Sequence, residues 1–187
     1  ELEYEKCYLR FLMPKLRGST AGAKKRYAGL IEKNGKEEIE FVGLETVRSD
    51  WTNVAKEFQK ELLDRVFHKK EVTNFIKKYV EDIQLGKRDK DLIYRKALRK
   101  DVEQYTKINP PHVKAARKLG KIESSIIEYY ITTDGPEPIQ NLKHKIDYDH
   151  YINKQIKPIA DTVLSFFDTK FEDVIQGTKQ TSLFNFK

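Results

Sequence analysis

The chain has 187 residues, a formal charge of +7, 39% apolar residues and a single cysteine, and no apolar run approaches the ~18 residues that a membrane span needs. One cysteine excludes an internal disulfide and any cysteine-based zinc cluster, and the length suffices for one sizeable core or two small ones. No secretory leader pattern opens the chain, so a cytoplasmic protein is expected; it starts without methionine on a strand-like pattern, which reads as a piece of something longer.

Residues 1–47 carry β patterns. "CYLRFLMP" is a strand-like run, and "KRYAGLIEKNGKEEIEFVGL" divides into two extended arms about Asn34-Gly35, the pair that supplies the positive φ values of a type I′ turn. Lys24, Lys25 and Arg26 stand directly before Tyr27 at the start of the first arm. Three adjacent cations repel one another and stabilise no fold, so they are either a solvated turn or a contact for an anion. From Ser49, read as an N-cap, the period becomes helical through Trp51, Val54, Ala55, Phe58, Leu62 and Val66. A second helix places Val72, Phe75, Ile76, Tyr79, Val80 and Ile83 on one face and stops at Gly86.

The excess charge comes next. Between Lys87 and Lys121 twelve Lys and Arg meet four Asp and Glu, so the remainder of the chain is close to neutral. Such a tract is the electrostatic footprint of a polyanion, and no amphipathic helix with bulky apolar residues opposes its cations as binding to a membrane surface would require. Within it Tyr94, Tyr105 and His112 are interleaved with Arg95, Lys96, Arg99, Lys100, Lys114 and Arg117, donors of several reaches that suit a phosphate track. "HVKAARKL" forms a short helix with Pro111 in its first turn, "IIEYYITT" a strand, and Pro136 and Pro138 keep the segment after Asp134-Gly135 out of a central ladder. A long helix follows from about Tyr148, with Ile152, Ile156, Ile159, Val163 and Phe167 along one side, a kink at Pro158, and an end at Gly177.

Catalytic signatures are missing: no glycine-rich phosphate loop, no G-x-S-x-G and no H-E-x-x-H. His144, Asp147, Asp149 and His150 crowd together, but the histidines lack the i, i+4 spacing of ligands, and Asp147 suits a helix cap better than a metal. Asp89 and Asp91 are flanked by cations that would neutralise them.

The motifs "KKRYAG", "GLETVRSDW", "LRKDVEQY", "PPHVKAARKL" and "YINKQIKPIADTVL", in this order, resemble the C-terminal part of a family B DNA polymerase, in its bacterial form, over essentially the whole chain. The resemblance implies an α+β fragment: residues 1–47 the end of the palm with its β-hairpin, residues 48–176 a mainly helical thumb, residues 177–187 a tail. It also implies that Lys25 reaches toward the minor groove near the newest base pairs, that Tyr27 contacts the primer backbone near its 3′ end, and that the thumb follows duplex DNA through Arg99, Lys100 and His112. Lys24, Arg26, Arg48, Arg95, Lys96, Tyr105 and Lys114 complete the expected DNA-binding set, whose targets are acceptors shared by all base pairs. The family's catalytic aspartates lie in "DxxSLYPS" and "YGDTDS" motifs, which this chain lacks, so no catalytic residue and no metal site is expected in it; magnesium belongs to the parent enzyme.

Gln180, Leu183 and Phe184 in "QTSLFNFK" resemble the bacterial sliding-clamp motif Q-x-x-L-F, in which an extended peptide lays its apolar pair into a pocket. The expected partners are therefore primer-template duplex DNA and a sliding clamp, in the bacterial nucleoid, with no membrane. Two rivals stand beside this reading: a stand-alone helical nucleic-acid-binding module, and an interaction protein whose basic tract is only surface.

Overall fold

Asn34 and Gly35, at φ 54° and 73°, turn the chain between β2 (Tyr27–Lys33) and β3 (Lys36–Val42) as the type I′ pattern requires. A short β1 (Arg10–Leu12) adds antiparallel to β2 with Phe11 opposite Gly29, giving a three-stranded sheet in the order β1-β2-β3. The computed structural model describes residues 6–14, 22–106 and 109–177. One face of this sheet, with Leu12, Ala28, Leu30, Ile39 and Phe41, joins the main core; the other carries Tyr8, Phe11 and Tyr27.

The helical periods bury the residues they mark. Helix α1 (Asn53–Phe67) buries Val54, Ala55, Phe58 and Leu62, and α2 (Thr73–Gln84) buries Ile76, Tyr79, Val80 and Ile83. Each such large apolar side chain contributes about 1.5–3 kcal/mol relative to exposure. Phe58 stacks on Phe75 with centroids 5.6 Å apart, and the Tyr79 hydroxyl donates to the Val54 carbonyl at 2.9 Å. Helix α1 starts later than the sequence pattern suggests. Ser49 lies in a turn, the extended residue before the helix is Thr52, and the Thr52 hydroxyl caps nothing because it is spent on Gln155.

The basic tract contains a strand that its charge concealed: β4 (Tyr94–Ala97) pairs with β5 (Ile126–Thr132), which pairs with β6 (Gly135–Pro138) in a second antiparallel sheet. Pro136 and Pro138 lie on its edge strand, where a missing N–H does least harm. Residues 48–176 thus carry a three-stranded sheet among their helices. Helix α3 (Pro111–Arg117) covers that sheet and forms a second small core of Val102, Val113, Ala115, Ala116, Ile127 and Tyr129. The expected long helix is broken into α4 (Tyr148–Tyr151), a π-turn (Ile152–Ile156) and α5 (Lys157–Leu164). Pro158 has no N–H for the carbonyl four residues back, and the Lys157 N–H bonds instead to Ile152, five residues back. The kink takes the form of a π-turn. After a left-handed Asp168, α6 (Phe171–Gln176) runs to Gly177.

Candidate nucleic-acid interface

Lys24 and Lys25 form a tight exposed turn, with Lys25 at φ 60° and the Arg26 N–H bonded to the Ala23 carbonyl at 3.2 Å. The turn is clamped from below by Gly43: a Cβ there would lie 2.2 Å from the Lys25 carbonyl oxygen, and Gly43 itself has φ 61°. Neither lysine makes an ion pair among the described residues, so both charges face solvent. Arg26 is different. Its guanidinium pairs with Glu45, whose other oxygen accepts from Gln59 Nε2 at 2.6 Å, so this cation fixes the turn to α1. Tyr27 stands at the rim of an aromatic cluster, 5.1 Å from Phe11 and 6.0 Å from Tyr8. The Tyr8 hydroxyl lies 3.5 Å from that of Tyr27 and donates to Glu40 at 2.7 Å, and the Tyr27 contact first, then the Glu40 bond, pushes its pKa up.

Arg48 is held by Asp50 through two parallel bonds of 3.0 and 2.7 Å, and the pair keeps the Asp50 carboxyl below its usual range. Lys96 lies close enough to contribute to that depression, and close enough to His112 to lower its pKa further after burial has done most of the work. Next along, the Tyr105 ring meets His112 edge-on at 6.3 Å, the Lys100 ammonium sits 4.7 Å over the Tyr105 ring, and the Tyr105 hydroxyl accepts the Arg99 N–H at 3.1 Å. His112, Tyr105 and Lys100 thus touch in sequence, and the Lys96 charge acts on both His112 and the Arg48–Asp50 pair, so these residues make up a basic row; Arg99 and Lys114 are exposed in the same tract.

Two tract cations leave that row. Arg95 alternates to the opposite face of β4 from Lys96 and bonds Glu128 on β5 at 2.8 Å. Arg117 donates to Asn109 Oδ1 at 2.7 Å and to the Tyr105 carbonyl at 2.9 Å, tying α3 to the loop that carries Lys100. Gln180, Leu183 and Phe184 lie outside the described residues.

The clustered acids at 144–150 are dispersed into structural work. Asp147 accepts the His150 N–H at 3.0 Å as the cap of α4, and His150 Nε2 accepts from the Tyr94 hydroxyl at 3.1 Å. His144 instead meets Asp134 and the fully buried Glu137. Burial alone would raise the Glu137 pKa, but bonds from the His144 ring and two backbone N–H groups, with the Lys118 ammonium at 3.3 Å, bring it down to about 2. With an ammonium already on its carboxylate, this group does not suit magnesium, which demands oxygen ligands. Sequence spacing missed the Glu137 cluster because its members come from the β5–β6 turn, β6, the loop after it and the residue that follows α3.

A three-stranded sheet with an exposed lysine turn is thus followed by helices and a second sheet that carry a basic row. The family model for DNA polymerase family B matches residues 1–166, and the chain belongs to that family. It is 40% identical over 188 residues to DNA polymerase II of Escherichia coli (strain K12), a match that takes in 95% of this chain and 24% of that protein. The DNA polymerase of Thermococcus litoralis is 32% identical over 202 residues, across 98% of this chain and 11% of its own length. The solved family B DNA polymerase from the hyperthermophilic archaeon Pyrobaculum calidifontis superposes with a TM-score of 0.64 at 29% identity, over 84% of this chain and 21% of that one. The chain spans about a quarter or less of the length of these relatives.

Proposed function

We propose that this chain is the part of a DNA-directed DNA polymerase that grips primer-template duplex: residues 1–47 the end of the palm, residues 48–176 the thumb, and residues 177–187 a sliding-clamp tether. The observation that supports it is the basic row, in which Lys100, Tyr105 and His112 touch and the Lys96 charge acts on both His112 and the Arg48–Asp50 pair, a grouping of cations and ring edges that suits a phosphate backbone. Lys24 and Lys25, exposed and without an ion pair among the described residues, supply donors at the other sheet, beside Tyr27. Nucleotidyl transfer and its magnesium belong to residues of the parent enzyme outside this chain; the side chains here position the duplex.

The test is duplex affinity measured against salt. A steep fall in log affinity with log salt is expected, with little sequence preference, and Arg99→Ala with Lys100→Ala should lower the slope by about two. A slope near zero would leave the row as mere surface, and a preference for single-stranded RNA would favour the stand-alone module. For the tail, replacing Leu183 and Phe184 by alanine should abolish capture by a bacterial sliding clamp; equal capture of both forms would remove the tether.

A further inference from the structure

Gln155 stands in the "YINKQIKPIADTVL" motif, and neither the core nor the basic row accounts for it. It faces inward from the π-turn at 5% exposure, alongside the fully buried Ile156. Its Oε1 accepts from both the N–H and the hydroxyl of Thr52, itself 1% exposed, and its Nε2 donates to the Tyr94 hydroxyl at 2.7 Å. That hydroxyl passes the chain on to His150 Nε2 at 3.1 Å. One amide thus joins two segments that neither pair as strands nor follow one another in sequence. Thr52 comes two residues after the Arg48–Asp50 pair, and Tyr94 comes two residues before Lys96. Both are among the best-anchored points near those cations: Tyr94 is stacked between Tyr129 at 5.4 Å and Tyr151 at 5.6 Å.

The geometry points to Gln155 as a positioning residue, which sets the spacing of Arg48 and Lys96 so that both meet one duplex backbone; this rests on the duplex-gripping reading. An apolar side chain of the same size would fill the space equally well. What it would lose is a fixed distance, because each buried bond of the amide has a preferred length and direction while apolar contact is non-directional. A network in which every member is satisfied specifies one arrangement of the elements it joins.

Two measurements on this chain test it. Gln155→Leu, at a temperature where it is folded, should bind duplex about tenfold more weakly, with the salt slope reduced by about one, because one of the two cations falls out of register. Spin labels on cysteines introduced by Ser49→Cys and Ala97→Cys, in a Cys7→Ser background, should give a single narrow distance with Gln155 and a broadened one with leucine. Lower melting temperature with unchanged slope and unchanged distance distribution would reduce Gln155 to a packing role and overturn the inference. Should Gln155→Leu fail to fold, Tyr94→Phe, which removes one hydroxyl, is read by the same two criteria. The wild-type titration separates the failures: a flat wild-type slope removes the gripping role, whereas the label distances judge the spacing without DNA.

Discussion

His68 shows how a single side chain at the surface couples two regions. Its Nδ1 meets the Asp64 carbonyl at 2.8 Å and its Nε2 meets Glu37 at 2.9 Å, linking the end of α1 to the tip of β3. The backbone bond and then the Glu37 bond raise its pKa. The stability this gives is complete below the unfolded value of about 6.5 and is lost as pH rises through the higher folded value. Between about pH 6 and about pH 8 the wild type should therefore lose more stability than His68→Gln, as read from denaturant midpoints; parallel curves would show that the staple does not form. His112 and His150 shift the other way through burial, but they are common to both proteins and cancel in the difference. At the same scale, Arg26 illustrates why a cation's role cannot be read from its neighbours: Lys24 and Lys25 stay exposed while Glu45, from beyond the hairpin and itself held by Gln59, claims the guanidinium.

Among the elements, α4 is the one that depends most on a single residue. It has only four residues before the π-turn, too few to stand on propensity, and its first turn is held by the Asp147 carboxylate on the His150 N–H. Asp147→Ala should cost about 1 kcal/mol and broaden the His150 ring signals as the bond to Tyr94 loosens. Unchanged melting and unchanged His150 resonances would assign the start of α4 to packing of Tyr148 and Tyr151 instead. Elements with strong periods were legible: the hairpin, α2, β5 and the short helix after Pro110 fall where alternation, turn chemistry and helical spacing put them, and α1 does so apart from its later start. β4 was not, because three of its four residues are exposed and two are cations, so no apolar alternation marks it. It is a strand because β5 offers a ladder, a cause outside its own sequence.

In the whole molecule two cores of unequal size share Tyr94 and Ile131 at their junction. The smaller holds six buried residues under a seven-residue helix, so it has little apolar area with which to resist local opening. Amide exchange in Val113–Arg117 is expected to run faster than in the buried middle of α1, with protection rising when duplex is added. Equal protection in both helices without DNA would mean that the molecule opens as one unit. The sequence by itself determined the family, the hairpin, the helical stripes and the presence of a strongly basic tract, since periodicity, turn residues and charge density are local properties that survive in an unfolded chain. Only the tertiary structure decided where each cation lies and what it pairs with. Arg48 and Lys96 are brought into one row, Arg95 is turned to the other face of its strand, and Arg26 and Arg117 are withdrawn into structural bonds, because distance between charges is set by packing rather than by sequence separation.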